Sequence, residues 1–209
     1  MDIHPPHGDI TSVKQFLLHL LTITIGILIA LSLEGLLEWH HHRGLVSEAR
    51  ENLRREVEDN KRELDNVLKG GEQEQQNVGT VLNVMATLLK HQKLNVSSLN
   101  LKYEIAELRS ASWDTARATG AIAYMDYREV EGYGQVYDLQ QRFDRVQDNL
   151  VQSFIAAISI ANRDPTTLSE PELREAQASL RRVLGHLAAE GDIGKGLERK
   201  YDAVLADKH

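Results

Sequence analysis

Three consecutive histidines, His40, His41 and His42, are the residues whose type most invites chemistry. Imidazole is a common metal ligand, and Glu38 lies four residues before His42. On a helix these two side chains share one face and would supply half of a ligand set. Adjacent histidines project about 100° apart, so all three cannot reach one ion. No second ligand cluster stands elsewhere in the sequence, and a membrane-surface contact, partly charged below neutral pH, is the plainer role. Glu38 and His42 remain the metal candidates, with no metal or cofactor expected.

The segment Ser112–Ala121 is the most distinctive of the polar part. Trp113, Thr119 and Gly120, with Tyr124, Tyr127 and Tyr137, would line a pocket or pack a helix corner. The second is the simpler reading, because glycine permits close approach and aromatic rings bury large areas. Tyr133 and Tyr137, four apart, share a face. No nucleophile–base pair accompanies them, and no phosphate-cradling loop, zincin helix or nucleophile elbow occurs. An enzyme is not expected.

The elements that must carry these residues are helical. The 209-residue chain has four prolines, Pro5, Pro6, Pro165 and Pro171, so His7 to Asp164 is free of the strongest helix breaker. There is no cysteine, which excludes disulfides and thiolate chemistry. A net charge of −7, with carboxylates interleaved among the arginines, argues against nucleic acid as a partner.

Residues 16–37, FLLHLLTITIGILIALSLEGLL, are long enough at about 1.5 Å per residue to span roughly 33 Å of hydrocarbon. Ser12 and Gln15 form a capping box before the run, and Trp39 follows at headgroup level. A cleavable signal peptide is the rival, but Lys14 is a thin basic flank and the segment after Leu33 is a poor cleavage site. Thr22, Gly26, Ala30 and Glu34 recur every four residues, a stripe suited to helix association. Alternatively, Glu34 reaches water at the boundary and Thr22 bonds its own backbone. The lipid bilayer is one expected partner, and a second copy or another membrane protein is the other. Lys14 against Arg43, Arg50, Arg54 and Arg55 would place the polar part in the cytoplasm, although long domains translocate regardless of such counts.

Beyond Trp39 the spacing predicts a charged juxtamembrane helix over 40–71, with a bend around Gly44 and an end at Gly70-Gly71. Further helices are expected over 72–91, 99–119 (burying Ile105, Leu108 and Trp113), 127–162 and 169–189, with a short last one over 195–205. Lys93–Ser98 reads as a loop and 120–126 as a turn. Asp164-Pro165 stops the fourth, and Ser169 with Glu172 opens the fifth as a capping box. The expected fold is all-α: one N-terminal transmembrane helix (16–39, after a tail, 1–15) continuing into an antiparallel helical bundle, its domain at 72–209.

Thr24–Leu31, then Glu34, Glu38 and Trp39, the histidine run, and a charged helix with Asn52 and Leu53 resemble a broad set of bacterial membrane proteins. These have one N-terminal anchor, a helical soluble domain and no characterised function. Their soluble part often has a Trp-containing segment like Ser112–Ala121 and a Tyr-containing helix like Val136-Tyr137. The likeness covers the anchor and about a third of the domain. It implies an inner-membrane protein with an outward, periplasmic domain and brings no catalytic residues. The many basic N-termini of that set contrast with the acidic, histidine-rich tail here. The expected function is an anchored interaction or scaffold protein; the alternative is an anchored ligand or pH sensor.

Overall fold

The computed structural model describes residues 13–90, 101–161 and 167–207, with 159–161 as backbone alone. The described elements are α1 (Val13–Leu88), α2 (Ala111–Ala118), a 3-10 turn η1 (Ala121–Tyr124), α3 (Tyr127–Ala161) and α4 (Glu170–Ala206). The fold is all-α, and no strand occurs among the described residues. Two compact units divide the chain, Met1–Ser47 and Glu48–His209.

In the first unit, α1 contains a segment long and apolar enough to cross a membrane, with none of its side chains buried. Its hydroxyls are satisfied locally. Thr22, Thr24 and Ser32 donate to Leu18 O, Leu20 O and Leu28 O at 2.9, 2.8 and 2.7 Å, which pairs each hydroxyl within its own helix. The Arg43 guanidinium lies 5.3 Å from the Trp39 ring centroid. Ser12, the expected cap, lies outside the described residues, as do Lys93–Ser98 and Asp164-Pro165.

In the second unit, buried residues follow the three- and four-residue steps of amphipathic helices. On α1 they include Leu53, Val57, Leu64, Val78 and Met85; on α3, Val136, Phe143, Leu150 and Phe154; on α4, Leu173, Leu180, Val183, Leu187 and Leu197. Each such side chain contributes about 1.5–3 kcal/mol of apolar burial. The pairing gives the directions. Residues 61 and 72 of α1 meet 202 and 195 of α4, and 135, 140 and 153 of α3 meet 200, 201 and 186 of α4. Thus α4 runs antiparallel to both. By contrast, residues 50, 56 and 60 of α1 meet 129, 137 and 140 of α3, so these two helices are parallel. A returning element must lie between them in sequence.

That element is not the helix expected over 99–119. Residues 101–110 are neither helix nor strand, and the helical part is confined to α2. Ile105, expected to be buried, is exposed, and its neighbour Ala106 is buried instead; Leu108 and Trp113 are half-buried. Two more boundaries differ. Helix α1 continues through Gly44, Gly70 and Gly71 to Leu88, absorbing the helix expected over 72–91. Helix α4 runs on through Gly191 and Gly194 to Ala206, absorbing the one expected over 195–205.

Glycine costs a helix roughly 1 kcal/mol, and burial on both sides outweighs it. Val67, Glu74 and Val78 hold α1 on either side of Gly70-Gly71. Gly194 has a specific use: a Cβ there would lie 2.5 Å from Leu68 Cδ2, so its absence lets α4 approach α1. A Cβ at Gly71 meets nothing within 4 Å. Gly71→Ala is therefore expected to raise stability by up to about 1 kcal/mol. Thermal unfolding followed by circular dichroism checks this; a helix ending there in the left-handed conformation would give the opposite sign.

The capping box is present. Glu172 Oε2 accepts from Ser169 N at 2.9 Å and from Ser169 Oγ at 2.6 Å, with Pro171 in the first turn.

Candidate functional site

An extended segment laid against helices has no ladder partner, so those of its backbone polar groups that are shielded from water need side chains. Residues 101–110, here called the strap, obtain them from polar residues set within the apolar stripes of α1 and α3. Gln147 Oε1 accepts from Ala106 N at 2.8 Å, and Gln147 Nε2 donates to Ala106 O at 3.0 Å. One turn of the same logic recurs at Asn60, whose Oδ1 accepts from Arg109 N at 2.9 Å while its Nδ2 donates to Arg109 O at 2.7 Å. Each amide thus imitates a strand neighbour. Gln140 Nε2 also donates to Arg109 O at 2.9 Å, and its Oε1 accepts from Asn60 Nδ2 and Tyr201 Oη at 3.2 and 2.9 Å.

Carboxylates close the two ends. Glu74 Oε1 accepts from Lys102 N at 3.2 Å, and Glu56 Oε2 accepts from Ser112 N at 2.9 Å. The spacing is metrically matched. Lys102 to Arg109 covers about 23 Å at 3.3 Å per residue, and Asn60 to Glu74 covers about 21 Å at 1.5 Å per residue. The strap therefore replaces a fourth bundle helix with fewer residues. Among the described residues, no buried side-chain nitrogen or oxygen lacks a partner.

Two aromatic contacts anchor the strap region. Trp113 stacks on Tyr137, with centroids 5.4 Å apart and planes inclined by 11°. Tyr137 Oη donates to Glu56 Oε1 at 2.7 Å. At the other end, Tyr103 Oη donates to Glu190 Oε1 at 2.6 Å, and the Tyr103 ring lies 5.5 Å from that of Phe154. Burial, then the neighbouring carboxylate, pushes the Tyr103 and Tyr137 hydroxyls far above their ordinary value. Burial also raises Glu190 to about 7, against the opposing hydrogen bond from Tyr103.

The chain matches no family model, no curated protein and no solved structure. Its own geometry has to carry the functional reading.

The structure brings Trp113 and Tyr137 into stacking contact, but leaves Thr119 exposed and bonded to Thr115 O at 2.9 Å. Gly120 adopts φ +76°, the left-handed turn that ends α2. Thr22, Gly26, Ala30 and Glu34 lie on the exposed part of α1. Glu38 is exposed and His42 half-buried; the His41 and His42 rings lie 5.9 Å apart. Among the described residues, no three or more His, Asp or Glu side chains are grouped to hold a metal ion. The sequence reading missed Glu56, Asn60, Glu74, Gln140, Gln147 and Glu190. Their signal was a polar residue at a position where the apolar stripe calls for a hydrophobic one.

Proposed function

We propose that this protein is a membrane-anchored helical interaction protein, which self-associates or docks onto a membrane partner through the apolar part of α1. The carrying observation is that Phe16–Leu37 is helical, apolar and fully outside any core, with its hydroxyls paired internally. Such a surface has lipid or another apolar helix as its natural partner.

Gly26 has nothing within 4 Å of a would-be Cβ, so a facing helix can approach along Thr22, Gly26 and Ala30. Glu34 continues this stripe toward the boundary, where its carboxylate reaches water or a partner's donor. In this reading the clamped bundle is the cargo that the anchor holds at the surface. The anchor's likeness to bacterial inner-membrane proteins supports a periplasmic bundle, which a C-terminal reporter fusion tests directly.

Replacing Gly26 and Ala30 together with isoleucine adds branched side chains where helices would touch. Disulfide-free chemical crosslinking in membranes is expected to fall several-fold in that variant. Crosslinking equal to that of the parent chain would overturn the reading of this stripe.

A further inference from the structure

The described buried carboxylates differ in how they are held. Glu129 faces the Arg50 guanidinium at 2.7 Å. Glu56 accepts from Tyr137 and Ser112, and Glu74 from Lys102 and Asn77. Glu190, 2% exposed, has one donor among the described residues, the Tyr103 hydroxyl of the strap. It also lines a cleft of about 190 Å³ together with Leu68, Gly71, Glu72, Gln75 and Leu187. That volume holds several waters, so the carboxyl has both a buried partner and a route to solvent.

We propose that Tyr103 and Glu190 form a proton-operated clasp on the strap. With Glu190 neutral, the Tyr103 end of residues 101–110 is held against α4. When Glu190 ionises, its proton leaves through the cleft, the carboxylate turns toward water, and that end of the strap opens.

Charged groups of both signs stand around Glu190. Glu72 on α1 and Asp192 on α4 also line the cleft, and Lys195 is engaged with Glu72 at 3.3 Å. From α3, Asp148 adds negative potential at Tyr103. His186, one turn earlier on α4, is bonded to Ser153 Oγ at 2.8 Å. A negative charge buried in this setting is opposed by desolvation, which outweighs the favourable hydrogen bond from Tyr103. The closed form therefore holds its proton up to about 7, against 4.5 for a hydrated glutamate. By linkage, the ratio of closed to open forms falls roughly thirtyfold between pH 5.5 and 8.5. The inference stands apart from the self-association reading, since it concerns the second unit alone.

Hydrogen–deuterium exchange of the full chain in detergent tests it, with labelling times scaled for the intrinsic pH dependence of amide exchange. Protection of the strap amides at the Tyr103 end, Lys102 foremost, is expected to drop at least tenfold from pH 5.5 to 8.5, while α3 amides keep theirs. Glu190→Gln should hold high strap protection at every pH. Tyr103→Phe should lower it at pH 5.5 toward the parent's value at pH 8.5. The proposal is overturned if parental strap protection is flat with pH, if it falls in parallel with α3, or if Glu190→Gln retains the parent's profile. The parental comparison of strap with α3 decides the matter even where a variant folds poorly.

Discussion

Gln147→Leu is expected to lower the stability of the bundle by about 3–5 kcal/mol, a large share of the roughly 5–15 kcal/mol available to a domain of this size. The volume is nearly conserved, so cavity formation contributes little. The loss comes from Ala106, a buried residue whose N–H and C=O are both paired with Gln147. Each orphaned backbone group costs about 1–3 kcal/mol, which outweighs the apolar gain from leucine.

Gln147→Glu separates the two bonds. Its carboxylate still accepts from Ala106 N but sets a second oxygen against Ala106 O. Acid should restore part of the stability, because a protonated carboxyl donates again. Adding Asn60→Leu to Gln147→Leu should cost less than the sum of the single changes, since both clamps hold the same ten-residue strap. Melting of the parent, the three single variants and the double variant by circular dichroism checks all three statements. A Gln147→Leu loss within about 0.5 kcal/mol, the range of surface substitutions, would show that the strap backbone does not depend on this amide.

Much of the helical framework was legible because its signals are local. The long α3 follows its three- and four-residue apolar spacing, and the Ser169–Glu172 box sits where its sequence pattern places it. The strap was not legible in the same way. Ile105 and Leu108 stand three apart and imitate a helical face, although the chain there is extended and Ile105 faces solvent. What overrides the local pattern is tertiary: Asn60 and Gln147 offer the backbone amide-to-amide pairing that a helix would otherwise supply internally. Gly70-Gly71 misled for a related reason, since a helix stop is a local preference of about 1 kcal/mol per residue and the buried stripe on either side is worth several times that.

The site shows the same division. Trp113 and Tyr137 were distinctive as residue types, yet their stacking depends on α3 running parallel to α1, a long-range arrangement. Glu56, Asn60 and Glu74 fall in the register of Leu53, Val57, Leu64, Val67 and Val78 on one face of α1. Polar residues in an apolar register must be satisfied by something. In this protein that something is a backbone, which carries no side-chain signature for sequence reading to find.

Glu190→Gln is expected to stabilise the domain at alkaline pH and to leave it nearly unchanged in acid. The folded-state value for Glu190 is raised to about 7 from 4.5. A raised carboxyl favours the folded form while protonated, so its contribution is fully present below about 4.5 and lost as pH rises through about 7. The full loss is about 3 kcal/mol. Glutamine is neutral throughout and keeps an oxygen for the Tyr103 hydroxyl. At pH 8.5 the variant should therefore melt roughly 6–12 °C above the parent, and at pH 4.5 within a few degrees of it. Asp144, also raised by burial, shares this sign and leaves a residual slope in both proteins. If the clasp opens before the bundle melts, hydration of Glu190 recovers part of the penalty, and the gain at pH 8.5 will saturate below 3 kcal/mol. Melting curves of parent and variant that shift in parallel from pH 4.5 to 8.5 would mean that Glu190 is already hydrated in the folded protein, and that burial at this carboxyl controls nothing.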